Sequence, residues 1–133
     1  MNYFLDTNIC IYFLKGKNEN IEHNIRKLNP NRIKIPSIVK AELLLGALKS
    51  KNPKNNRNIV LDFLDPFEIL GFNDVDSEIY AEIRSNLELK GIPIGPNDLL
   101  IASIVLHHNG ILVTNNEKEF SRINTLKLEN WVS

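Results

Sequence analysis

The sequence predicts an α/β fold in which a parallel sheet of four or five strands is flanked by helices on both faces. Short apolar runs alternate along the chain with longer stretches of helical periodicity, and strands separated by helices imply parallel pairing. At 133 residues with 43% hydrophobic and 24% charged residues, the chain is too apolar for disorder. Residues 1–133 are expected to form a single domain, since this length can remove roughly 65–70% of the chain surface from water.

The elements follow in order. Tyr3-Phe4-Leu5 is a short strand stopping at Asp6. Asn8 to Lys15 is a helix, with Ile9 and Phe13, and Cys10 and Leu14, each four apart, closed by Gly16. A polar helix over Asn18 to Leu28 carries Ile21, Ile25 and Leu28 on one stripe. Asn29-Pro30-Asn31 breaks it, and Ile33-Lys34-Ile35 is a second strand. Ser37 is the expected cap of a helix over Ile38 to Leu48. Lys51 to Asn58 is a basic loop or the exposed start of a helix that runs to Pro66. Phe67 to Phe72 is a third strand, and Asp74 or Asp76 caps an amphipathic helix bearing Ile79, Ile83 and Leu87. Gly95-Pro96-Asn97 opens a helix from Asp98 to His107 that is apolar nearly all round and therefore buried. Ile111-Leu112-Val113 is the fourth strand and Leu126-Lys127-Leu128 a short fifth.

Composition excludes several classes. The lone Cys10 cannot form an intrachain disulfide. The apolar run at Leu99 to Leu106 is far shorter than the ~20 residues of a membrane span. The amino terminus lacks the basic lead of a signal peptide, so a cytoplasmic location is expected. Sixteen basic residues balance sixteen acidic ones, yet Lys15 to Arg57 holds 11 basic and 3 acidic residues, whereas Asn58 to Ser133 holds 5 and 12. That asymmetry reads either as a basic patch for a polyanion or as solvated helix faces.

Ligands in such sheets bind beyond the carboxyl ends of the strands, which draws attention to the residues there. Asp6 ends the first strand, where it could also be a simple helix cap. Glu42 and Lys40 point roughly 160° apart on one helix, so one of the two leaves through a packed flank. Asp98 lies in the first turn of the buried helix, where the helix dipole favours an ionised carboxylate. Thr114-Asn115-Asn116-Glu117-Lys118-Glu119-Phe120 follows the fourth strand as a polar loop with a capping pattern. Carboxylates converging at one rim repel unless a cation sits between them, and oxygen donors suit Mg²⁺ or Mn²⁺. His23, His107 and His108 have no zinc spacing, and no phosphate-binding glycine loop is present.

Four blocks in order carry a family resemblance: Phe4 to Tyr12, Ser37 to Ala47, Ile94 to Ser103, and Leu112 to Phe120 followed by Leu128 to Trp131. The sequence resembles the PIN-domain ribonucleases, and within them the VapC-type toxins of bacterial toxin–antitoxin pairs. The resemblance implies a PIN-like sheet, Mg²⁺ or Mn²⁺, and hydrolysis of RNA phosphodiesters, tRNA being a frequent substrate. By position it makes Asp6 and Asp98 metal ligands and lets Glu42 complete the cluster, with Thr7, Asn8 and Thr114 beside the RNA. Many relatives carry an acid where this chain has Asn116, so Asn116 and nearby Glu119 are the expected further ligands. A VapB-type antitoxin and a homodimer are the implied protein partners, and no membrane is involved. Two alternatives stand beside this. A haloacid dehalogenase phosphatase would need an Asp where Asn8 stands, and a catalytically dead PIN-like module would bind RNA or antitoxin without cutting.

Overall fold

A computed structural model describes all 133 residues. The strands are β1 (Tyr3–Leu5), β2 (Ile33–Pro36), β3 (Glu68–Leu70), β4 (Ile111–Val113) and β5 (Lys127–Glu129). The helices are α1 (Thr7–Lys15), α2 (Glu19–Lys27), α3 (Ser37–Leu48), α4 (Pro53–Leu64), α5 (Asp74–Leu89), α6 (Pro96–His107) and α7 (Glu117–Phe120). A 3₁₀ turn at Pro30–Arg32 leads into β2. All pairings are parallel, with Tyr3 opposite both Ile33 and Ile111, Lys34 opposite Glu68, and Ile111 opposite Lys127. Helices flank this sheet, as the alternating pattern predicts.

The strand order is β3-β2-β1-β4-β5. The chain therefore builds outward from central β1 through β2 and β3, then returns to add β4 and β5 on the other side. That reversal opens a crevice beyond the ends of β1 and β4, the usual ligand position in such sheets. Asp6 and Thr114 are the residues that emerge there. The Asp6 N–H donates to the Val113 carbonyl at 3.1 Å, which ties the two exits together.

Burial follows the periodicities. Phe4, Leu5, Ile33, Ile35, Leu112 and Val113 are fully buried within one continuous hydrophobic core. On β2 the odd residue out is Lys34, which turns sideways to pair with Glu68 at 2.8 Å. In α6, Leu99 and the run Ile101 to Val105 are all buried, and Ser103 spends its hydroxyl on the Leu99 carbonyl at 2.7 Å. The helix can thus sit inside the protein without an unpaired hydroxyl. No helix is long and apolar enough to cross a membrane.

Several local expectations are corrected. Ser37 is the first residue of α3 rather than its cap; the cap position belongs to Pro36 and has no side-chain bond. The cap of α5 is Asn73, and Asp76 is the reciprocal member of its capping box, accepting the Asn73 N–H at 2.9 Å. Of the two readings of the basic stretch after Lys51, the exposed helix start holds: α4 begins at Pro53, where proline's missing N–H costs nothing. The third strand spans only Glu68–Leu70, the fifth lies one residue later than expected, and Glu117–Phe120 forms a short helix where a polar loop is expected.

Candidate active site

Asp6 follows the central strand and is 6% exposed. Its Oδ1 accepts the Ile9 N–H at 3.0 Å, so it does cap α1, as its simpler reading holds. Capping occupies one lone pair and leaves the carboxylate at the crevice. Burial pushes its pKa up, and the Glu42 charge adds to this, while bonds from the Thr114 hydroxyl and the Ile9 N–H pull it partly back.

Glu42 reaches the same rim from α3. The Thr7 hydroxyl donates to Glu42 Oε1 at 2.8 Å across 35 residues of sequence. Of the opposed pair on this helix, Glu42 is therefore the one that turns toward α1 and the crevice. Asn8 is exposed in the first turn of α1. Thr114 is fully buried behind the rim, and its Oγ1 accepts the Asn116 N–H at 2.9 Å.

Asp98 arrives from the first turn of α6. Burial and the neighbouring Glu119, Asp6 and Glu42 charges push its pKa up to about 7. Asp98 and Glu119 share a hydrogen bond, with the proton favoured on Asp98. Glu119 is held below the usual glutamate range, first by the Gly95 N–H at 3.0 Å and then by Asn116 Nδ2 at 3.0 Å. A Cβ placed on Gly95 would lie 3.9 Å from both Asp98 Oδ2 and Glu119 Oε1, so the two carboxylates converge on one small volume. Arg122 helps hold that corner, donating to the Pro93 carbonyl at 2.8 Å.

The structure thus gathers Asp6, Glu42, Asp98 and Glu119 on one rim, from four different elements. No three His, Cys, Asp or Glu side chains already close into a metal cage. The donor chemistry nonetheless fits a hard cation. The four side chains that converge there are all carboxylates, and burial together with mutual repulsion lifts Asp6 and Asp98 alike. Neither histidine at the end of α6 belongs to the site: His107 lies nine residues beyond Asp98, roughly 14 Å along the helix. Cys10 is fully buried, and its thiol is pushed well up, so it offers no nucleophile.

Two partnerships escaped the sequence. The Gly95 N–H, a backbone donor, carries no residue-type signal. His107 Nδ1 lies 2.8 Å from Asp76 Oδ1, which is fully buried, and so joins the far end of α6 to the start of α5. An acid already explained by a capping box gives no hint of a second partner.

Comparison with known proteins shows the family. The PIN domain family matches residues 3–126. "Ribonuclease VapC2" of Rickettsia felis is 47% identical over 132 residues, covering 98% of each chain. "tRNA(fMet)-specific endonuclease VapC" of Salmonella typhimurium is 37% identical over 131 residues, again 98% of each. Among solved structures, VapBC2 from Rickettsia felis bound to a DNA fragment from its promoter superposes with a TM-score of 0.92 at 46% identity. That match covers 98% of this chain and 99% of the other. A family match over nearly the whole length, and a shared fold at this identity, make the chain a member of the PIN-domain family, of the VapC type.

Proposed function

We propose that this protein is a Mg²⁺- or Mn²⁺-dependent endoribonuclease toxin that cuts RNA, with tRNA as its favoured substrate, and that a VapB-type antitoxin neutralises it. The observation that carries the reading is the convergence of Asp6, Glu42, Asp98 and Glu119 at the sheet's reversal point. The names of the relatives, ribonuclease and tRNA endonuclease, support the reaction class, and the VapBC complex supports the partner.

In this reading Asp6, Glu42 and Asp98 hold the cation, with Glu119 beside Asp98. A bound divalent ion there supplies an activated water at neutral pH and offsets charge on the scissile phosphate. The chain's own residues arrange this. The Ile9 N–H fixes the Asp6 carboxylate, the Thr7 hydroxyl orients Glu42, and α6 delivers Asp98 from a buried and therefore rigid helix. Asn8, exposed in the first turn of α1, and Thr7 border the path of the RNA, whereas Thr114, expected beside it, is fully buried and acts from behind the rim through Asp6 and Asn116. The same reading extends to a homodimer acting in the cytoplasm.

The test is cleavage of RNA by the purified protein. Activity is expected to vanish in EDTA and return with Mg²⁺ or Mn²⁺, and Asp6→Asn or Asp98→Asn should abolish it, together with growth arrest in cells. A folded Asp98→Asn protein that still cuts RNA and arrests growth would refute the assignment. A wild type that binds RNA without cutting it would instead favour a binding module.

A further inference from the structure

We propose that Asn116 is a positioning residue whose side-chain amide holds Glu119 beside Asp98, where the Glu119 carboxylate serves the cation site. The inference rests on the metal-dependent reading above. Its starting point is α7, the four-residue helix that carries Glu119. A single turn has little stability of its own, so the direction of its side chains must come from other bonds.

Those bonds are present on both oxygens of Glu119. Oε2 accepts Asn116 Nδ2 at 3.0 Å and Oε1 accepts the Gly95 N–H at 3.0 Å. Only the amide nitrogen can donate to a carboxylate, so chemistry alone sets which end of Asn116 faces Glu119. Asn116 is in turn fixed to the sheet, since its N–H donates to the Oγ1 of buried Thr114 at 2.9 Å. Gly95 is the cap of α6, and Asp98 lies in that helix's first turn. Glu119 is therefore clamped between the end of β4 and the start of α6, with remaining lone pairs on the Asp98 side. An acid at 116 would bring charge to the rim directly but would repel Glu119; the amide does the opposite, adding no charge and fixing the one three residues on.

Hydrogen bonds that orient a metal-binding carboxylate commonly change metal affinity by about 10–100-fold. The test is a double-mutant cycle read by Mn²⁺ titration of the RNA-free protein, with the metal-free melting temperature measured alongside. Asn116→Ala and Glu119→Gln should each weaken Mn²⁺ binding about tenfold while the metal-free protein stays folded. The double variant should bind no more weakly than Glu119→Gln alone, because Asn116 acts through Glu119. Additive losses would overturn the inference and make Asn116 an independent ligand. So would an Asn116→Ala protein that binds Mn²⁺ like the wild type while Glu119→Gln binds weakly; the proposed function would survive that result. A wild type with no affinity for Mn²⁺ would overturn both.

Discussion

Asp98 shows how a single carboxyl group links the site to stability. Its ordinary pKa is 3.8, and in the folded protein it rises to about 7. Between those values the native state holds the proton more tightly than the unfolded chain, so stability falls as pH rises through that window. Asp6 is raised as well and adds to the fall. Glu119, held below its ordinary 4.5, acts oppositely, contributing stability that is lost as pH drops below that value. In EDTA the melting temperature should therefore decline as pH rises toward about 7. Asp98→Asn removes the titrating group and should flatten much of that decline. An unchanged slope in the variant would mean that Asp98 ionises normally. Asp6 carries a related lesson: its cap on α1 and its place at the crevice are one arrangement, since the bond that caps the helix also fixes the carboxylate.

At the scale of elements, the approach of β1 to the turn before β4 is set by one small residue. Gly110 packs against the ring of Phe4, and a Cβ there would run into that ring and lie 3.2 Å from the Asn2 carbonyl oxygen. Phe4 is fully buried in the core and stacks on His108 with ring centroids 6.0 Å apart, so it has little room to yield. Gly110→Ala should cost about 1–3 kcal/mol by overpacking, measured as a drop in the urea midpoint with an unchanged slope. A loss below about 0.5 kcal/mol, the range of neutral surface changes, would show that the Phe4 ring can move aside. The helix α6 illustrates the opposite economy. Its apolar surface faces protein nearly everywhere, while its two ends carry the ionisable groups, Asp98 at the site and His107 against Asp76.

At the scale of the molecule, the neutral total conceals a division of charge along the chain. Among the basic residues from Lys15 to Arg57, some are already engaged. Arg26 pairs with Glu22, Lys34 with Glu68, and Arg32 donates to the Met1 carbonyl. Lys49, Lys51, Lys54 and Arg57, around the turn between α3 and α4, are exposed and make no ion pair. With Lys15, Lys17 and Lys27, also exposed and without an ion pair, they are free to meet a phosphate backbone. RNA affinity should fall steeply with salt. Neutralising Lys49 with Lys51, or Lys54 with Arg57, should weaken binding and reduce the salt slope by about one for each phosphate left without its cation. The cleavage position should stay the same, because backbone contacts carry no sequence information. A flat salt dependence would return these side chains to the role of solvating a helix hairpin.

The sequence by itself determined the α/β class, the order of the elements and the two acids at element ends. These are written in local chemistry: apolar runs of strand length, helical spacing, Gly16 in a left-handed cap, and carboxylates at a strand end and a helix start. The cap of α5 falls at Asn73 rather than at either aspartate because Asn73 and Asp76 share the work, and a run rich in Asn and Asp offers several equal choices. Only the tertiary structure decided the strand order, which puts β4 rather than β2 across the crevice from Asp6. It also decided that Glu42, rather than Lys40, is the side chain bonded to Thr7, and that Glu119 reaches Gly95 and Asp98. Each of those bonds joins residues more than twenty positions apart. The identity of such a partner depends on how helices dock on the sheet, a matter of packed surfaces that neighbouring residues along the chain do not encode.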